Sequence, residues 1–297
     1  MKNYFPVLFL FFVSSLFAQQ NSLLWEISGK GINKPSYLYG TMHLRDSRLF
    51  CFPDSAQQKL DSCAVLALEV VIDFKDTKAL MNAILVQDEN NYLSKILSKQ
   101  DYKKVRKAVK ENCDLATFVM MDKVRPLMLA ASIMEGQMKN DVKYPMDIQF
   151  QLDAQKQGKS LYSLESAASQ IAVLDKIPLD IQKRELLSAV DSMQQNKVLL
   201  DSMIQMYLRQ DLAGLQQTSE GSTVEFDSLW QSELLDKRNA IMVNGIHTLL
   251  PKGNAFIAFG AAHLGGENGL IELLRKEGYV VRPVFSTCSQ LRARDKF

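Results

Sequence analysis

Apolar positions gather into short runs at the two ends of the chain and into longer, helically spaced stripes between them. Residues 36–39 are β-type and follow the turn residues Asn33, Lys34 and Pro35, while residues 64–72 form a nearly continuous apolar run of strand length. Between the two, Pro53, Asp54 and Ser55 have the composition of a helix start and lead into residues 56–60. The order strand, helix, strand then recurs near the other end. Residues 255–259 are an apolar strand, Asn268 is placed to cap a helix over 270–276, Gly278 to close it, and 279–284 reads as a further strand.

The middle of the chain predicts helices over 101–110, 126–138, 145–157, 181–207 with a break, and 228–250. One short buried strand interrupts them at 161–164, after Gly158 ends a helix and directly before Glu165. The methionines scattered through these helices, Met128, Met134 and Met203 among them, read as adaptable core filling. The pattern as a whole predicts an α/β fold. Residues 21–297 form one domain, in which two related halves, near 24–75 and 250–285, share a sheet around a largely helical insert.

Residues 1–20 stand apart from this pattern. Lys2, the apolar run from Phe5 to Val13, Leu16, Phe17 and the small Ala18 have the layout of a secretory signal, too short to span a bilayer and anchor a folded domain as well. Its removal leaves 34 basic against 33 acidic side chains, a net charge of +1. Basic and acidic residues alternate along polar faces, which argues against a nucleic-acid partner. No later stretch has the apolar length of a transmembrane helix. The expected location is periplasmic or secreted, where Cys51, Cys63, Cys113 and Cys288 permit one or two disulfides; their pairing does not follow from the spacing.

Candidate chemistry sits where the strand runs end. Gly40, Thr41, Met42, His43 and Leu44 follow one apolar run, and Gly260, Ala261, Ala262, His263 and Leu264 follow another, 220 positions later, in a chain with three histidines. A lone GxxH carries little information; two, each closing a strand, are a rare coincidence. Glycine is expected to let the chain turn sharply off the sheet and project histidine above the strand ends, where open α/β sheets bind ligands. Glu69 interrupts the apolar run at 64–72, a position costly for a carboxylate without a partner or metal. Glu165 ends the strand at 161–164. Arg238 falls on a helical stripe with Leu234, Ile241, Gly245 and Leu249, and Arg125 precedes Pro126 at a helix start, where its charge opposes the dipole. Both arginines are candidates to reach the pocket and orient Glu69 or Glu165. Asp147 reads as a first-turn helix acid and His247 as a surface residue.

These residues, with Leu24-Trp25-Glu26-Ile27, Leu68-Glu69, Val124-Arg125-Pro126, Met146-Asp147, Leu164-Glu165 and Lys237-Arg238-Asn239, resemble the TraB/PrgY/GumN family, which includes the Tiki proteases. The resemblance runs from about residue 24 to 284. It implies a fold related to the erythromycin esterase and ChaN-like group and, through the Tiki branch, a metal-dependent peptidase using manganese or cobalt; zinc also suits the residue types. It marks His43 and His263 as the paired motif histidines, Glu69 as the family glutamate, and Arg125, Glu165 and Arg238 as supporting polar groups. Lys237 departs from the acid that commonly precedes the family arginine, which removes that position from the catalytic set.

The chemistry expected is metal-assisted hydrolysis of a peptide or peptide-like amide. His43 and His263 bind one divalent ion, Glu69 completes the site or serves as general base, and an arginine stabilises the oxyanion. Two other readings of the same residues are a periplasmic protein that binds a peptide or haem without turnover, and a metal-free esterase with a histidine base. The signal makes the first testable claim: the mature chain begins near Gln19 and is found outside the cytoplasm. Amino-terminal sequencing of fractionated protein checks it, and an intact Met1 on cytoplasmic protein overturns it.

Overall fold

A computed structural model describes residues 21–50, 54–218 and 224–285. Its centre is one mixed sheet of β1 (Leu24–Ser28), β2 (Ser36–Thr41), β3 (Val65–Leu68), β4 (Ser160–Ser163), β5 (Ala255–Gly260) and β6 (Val280–Pro283), in the order β4-β3-β5-β2-β1-β6. β2, β5, β3 and β4 run parallel side by side, and β1 is antiparallel to both of its neighbours, β2 and β6. Every residue of β2 is buried, as are the first five of β5. Side chains alternate between the two faces of a strand, so both faces of the sheet centre are covered, and this is why these strands read as continuous apolar runs.

The two strand-helix-strand units interleave. β5 of the second unit pairs with β2 on one side and with β3 on the other, so the last strand of one unit and the first of the next complete a single sheet. Phe256, Phe150 and Tyr39 pack ring against ring at its centre, with centroids 5.8–6.1 Å apart. A second core lies away from the sheet. Val105, Val109, Leu129, Ile133 and Leu186 hold helices Lys99–Asn112, Pro126–Gly136 and Leu179–Asp191 together.

Several boundaries differ from the sequence pattern for identifiable reasons. The apolar run at 64–72 yields a strand of four residues, because side chains take over its backbone groups beyond Glu69. Ser163 Oγ accepts from the Val71 N–H at 2.8 Å, and the Gln151 amide bonds both backbone groups of Ile72. β4 is an edge strand whose Leu161 and Tyr162 are only partly buried. Gly269, not Asn268, caps helix Leu270–Lys276; the Asn268 side chain donates to Asp236 instead. β1 was not predicted as a strand, although Gly29 and Gly31, both at positive φ, mark the turn that ends it. The break in 181–207 falls at Ser192, between helices Leu179–Asp191 and Met193–Leu208. Residues 228–250 divide into helix Val224–Leu229, the π-helix Trp230–Asp236 and helix Lys237–Leu249. The wider π turns shift the stripe's phase, so Asn239, Met242, Val243, Ile246 and Leu249 are buried while Ile241 is 39% exposed.

Cys63 and Cys113 are free thiols in different cores, and burial pushes both up to about 11. Cys51, Cys288 and the signal at 1–20 lie outside the described residues. Among the described residues no helix is long and apolar enough to cross a membrane.

The two glycine motifs touch. A Cβ on Gly40 would stand 2.7 Å from Leu264 Cδ1 and 3.0 Å from Ala261 Cα. Gly40→Ala is therefore expected to force β2 and the second motif apart and to destabilise the protein by about 1–3 kcal/mol, the range for overpacking a filled core. Chemical denaturation against the parent chain measures it.

Candidate active site

Four adjacent parallel strands place four ionisable groups on one edge of the sheet. His43 comes two residues after β2, His263 three after β5 in a 3-10 turn, Glu69 directly after β3, and Glu165 two after β4. The ladder continues past β3 and β4, with the Glu165 N–H donating to the Glu69 carbonyl at 2.9 Å, so the two glutamates leave the sheet in register. Neither motif glycine has a positive φ. Neither makes the sharp turn that the sequence suggested; Gly40 allows close approach of Ala261 and Leu264 instead. The Gly40 carbonyl accepts from Tyr207 Oη at 2.9 Å, which ties the end of β2 to helix Met193–Leu208.

Glu69 is the hub. Its Oε1 accepts from the Gly260 N–H at 2.6 Å and lies 3.6 Å from His43 Nε2 and 4.0 Å from His263 Nε2. Its Oε2 accepts from Arg238 Nη2 and, at 3.3 Å, from the Gln170 amide. Arg238 reaches on to Glu165, with Nη2 2.5 Å and Nε 3.0 Å from Oε1, and Gln170 bonds the same oxygen at 3.2 Å. The Glu165 side chain is fully buried, so one guanidinium and one amide satisfy two carboxylates that would be costly to bury alone.

The far side of each imidazole is also fixed. Asn239 donates its amide to the Asn268 carbonyl at 2.8 Å, which turns its oxygen toward His263 Nδ1, 2.7 Å away. That oxygen only accepts, so Nδ1 carries the proton and the Nε2 lone pair of the neutral ring faces Glu69. His43 Nδ1 lies 2.9 Å from Asp147 Oδ1. The two rings are pushed in opposite directions. Burial pushes His263 down to about 4; Glu69 opposes this, and Arg238 and His43 reinforce it. His43 is half exposed at the cavity mouth; partial desolvation favours its neutral ring, but the Asp147 and Glu69 carboxylates outweigh that and push it up. Burial would likewise protonate Glu69; His43, His263 and Arg238 outweigh it and hold the carboxyl well below its usual range.

The remaining candidates fall elsewhere. Arg125 does not reach the carboxylates. It is buried and pairs with Asp175, linking helix Pro126–Gly136 to the end of helix Ala167–Leu174. A charge that opposes a helix dipole is here satisfied by a neighbouring helix, which overturns its placement in the pocket. His247 pairs with Glu277 and Lys237 with Glu233, both away from the site. Three contributors were not expected. Asp147 is a first-turn acid as predicted, yet it also faces His43; Asn239 was hidden by the shifted helix phase; Gln170, five residues after Glu165, left no signal in the chain.

In kind, the side chains fit a divalent cation: two imidazole nitrogens face one carboxylate oxygen, and outer partners orient both rings as they do for metal-binding histidines. A Cβ built on Gly260 would stand 3.3 Å from Glu69 Oε1, 3.6 Å from His43 Nε2 and 3.7 Å from His263 Cδ2, so glycine keeps open the space on which the three converge. Their spacing is not that of a closed centre. Among the described residues, no group of three or more His, Cys, Asp or Glu is placed to hold an ion. The edge opens into a cavity of about 580 Å³, floored by His43, Glu69, Asp147, Arg238 and His263.

The class of protein follows from comparison with known sequences. The TraB/PrgY/gumN family pattern matches residues 23–283, and the chain belongs to that family. Metalloprotease TIKI1 of Danio rerio is 22% identical over 316 residues, covering 88% of this chain and 63% of that protein. The metalloprotease TIKI homolog of Nematostella vectensis is 23% identical over 320 residues, 89% of this chain and 67% of its own length. The uncharacterized protein YbaP of Shigella flexneri is 24% identical over 248 residues, 82% and 89% of the two chains. The chain thus spans a little over six-tenths of the length of the TIKI1 relative. No solved structure matches it.

Gly260→Ala separates the site from the fold. Its new methyl group would stand 3.3 Å from Glu69 Oε1, a tight contact that asks the carboxylate to give by a few tenths of an ångström, so the thermal midpoint should fall less than in Gly40→Ala, whose Cβ meets Leu264 at 2.7 Å. The methyl would still fill the space between Glu69 and the two rings, and binding of divalent cations, followed by calorimetry, should fall at least tenfold.

Proposed function

We propose that this protein is an exported, metal-dependent hydrolase of peptides or peptide-like amides. The observation that carries the proposal is the convergence of His43 Nε2 and His263 Nε2 on one oxygen of Glu69, with each ring fixed from behind. The names of the TIKI relatives support the reaction class. The signal-like segment 1–20 supports export, and the near-neutral charge supports a substrate other than nucleic acid. The arrangement of parallel strands is in keeping with kinship to the erythromycin esterase and ChaN-like group.

His43 and His263 would hold the ion, with Glu69 as third ligand or as base; manganese and cobalt are the metals the family resemblance favours, with zinc also suited. A bound divalent ion supplies Lewis acidity, polarising a carbonyl and acidifying water. The Asn239 contact turns the His263 Nε2 lone pair toward the site, and metal binding at His43 would compete with the proton that Asp147 and Glu69 favour there. Glu69 stays ionised, and to serve as base it would have to release one of the contacts that occupy its two oxygens so that water can reach it. Arg238, engaged with both carboxylates, holds Glu69 in position and is not free to meet an oxyanion.

A second reading, ligand binding without turnover, draws on the same engagement: Arg238, Gln170 and the Gly260 N–H already occupy both oxygens of Glu69. Three variants decide between them. His43→Ala and His263→Ala should each lose divalent-metal binding and hydrolysis together while circular dichroism stays unchanged. Glu69→Gln should fold, keep its metal and lose at least a hundredfold in turnover if Glu69 is the base, since an amide accepts no proton. Hydrolysis that persists in both histidine variants sinks the mechanism.

A further inference from the structure

The polar floor accounts for only part of the cavity. Its other wall is apolar and comes from three separate elements: Leu127 and Met128 from helix Pro126–Gly136, Ile171 and Leu174 from helix Ala167–Leu174, and Trp230 and Leu234 from the π-helix. All the ionisable groups that line the cavity belong to the floor. The apolar wall is therefore not a continuation of the charged network but a second, chemically distinct half of the same space.

Its position relative to Glu69 follows from helix geometry. Gln170, which bonds Glu69 Oε2, lies one helical turn before Leu174, and Arg238, which bonds the same oxygen, comes four residues after Leu234. One turn rises about 5.4 Å, so Leu174 and Leu234 each stand one turn along from a residue that bonds Glu69, and both line the same cavity as that carboxylate. Arg125 and Asp175 fix the separation of the two helices that supply Leu127, Met128, Ile171 and Leu174. A volume of about 580 Å³ admits far more than an ion and its waters, and falls within the range of sites that enclose small ligands.

The geometry points to a side-chain subsite: the substrate is a peptide with a large apolar residue, such as Leu, Met or Phe, beside the amide that is cut. This deepens the hydrolase reading and rests on it. The peptide main chain lies over the polar floor while the apolar side chain enters the wall of Ile171, Leu174, Trp230 and Leu234. Charged side chains at that position would be desolvated with no partner on the wall, and discrimination of about 10–200-fold is what an apolar pocket provides.

The test uses the full chain with matched quenched-fluorescence peptides that differ at one residue beside the cleaved bond, Leu, Ala, Asp or Lys. The expected result is a kcat/KM for the Leu peptide at least tenfold above those for Asp and Lys, carried mainly by KM. Ile171→Asp should collapse the Leu-to-Ala ratio, and Ala131→Trp, which adds bulk at an exposed position of the lining and so leaves the core packing untouched, should do the same. Equal kcat/KM for Leu and Asp peptides overturns the subsite. Binding is read separately through tryptophan emission, since Trp230 lines the cavity whereas Trp25, the second of the two tryptophans, is buried in β1. N-acetyl-leucinamide should shift that emission and N-acetyl-aspartamide should not, with the shift absent in Trp230→Phe. If no peptide is cleaved, the hydrolase reading fails and this titration still decides the subsite: a response to the leucine probe alone supports it, and equal or absent responses overturn it.

Discussion

The parallel contact between β2 and β5 is the constraint on which the site depends. Strands more than 200 positions apart pair from Tyr37 with Phe256 to Thr41 with Gly260, and pairing in that register brings the two GxxH motifs to the same edge, one residue out of step. The contact is close because Gly40 has no side chain: Ala261 and Leu264 occupy the space a Cβ would need. The second glycine works in the opposite sense, since Gly260 keeps space open toward Glu69 and His43. One motif glycine thus lets the strands approach, and the other keeps the resulting pocket from filling.

Around that contact the charges are arranged as one network, not as separate residues. Arg238 joins Glu69 to Glu165, Gln170 joins the same two carboxylates, and Asp147 and Asn239 hold the rings from outside. Removing one partner of a buried pair typically costs about 3–5 kcal/mol because the other charge is stranded. The π-helix that precedes Arg238 belongs to this arrangement: it sets the phase at which Arg238 meets the carboxylates and Asn239 meets His263. It also delivers Trp230 and Leu234 to the apolar wall, so a single irregular segment shapes both halves of the cavity.

The chain by itself determined which residues end the central strands. Apolar strand runs announce burial on both faces, and a His or Glu that closes such a run has few environments in which it is tolerable; this made His43, Glu69 and His263 legible, while Glu165 was read from the end of a shorter run that proves to be a half-exposed edge strand. Arg238 stood out for the same reason, as a charge on an apolar stripe. Tertiary structure alone decided the partners. Arg125, oddly placed in another way as a positive charge at a helix start, is satisfied by Asp175, because the strength of a charge's claim on a partner says nothing about which partner lies nearby. Asp147 and Asn239 occupy ordinary helical positions, and Gln170 is an ordinary polar residue. Their roles arise from the crossing of elements distant in sequence, and local periodicity, which reports only whether a side chain faces the core or the solvent, carries no record of what it will meet there.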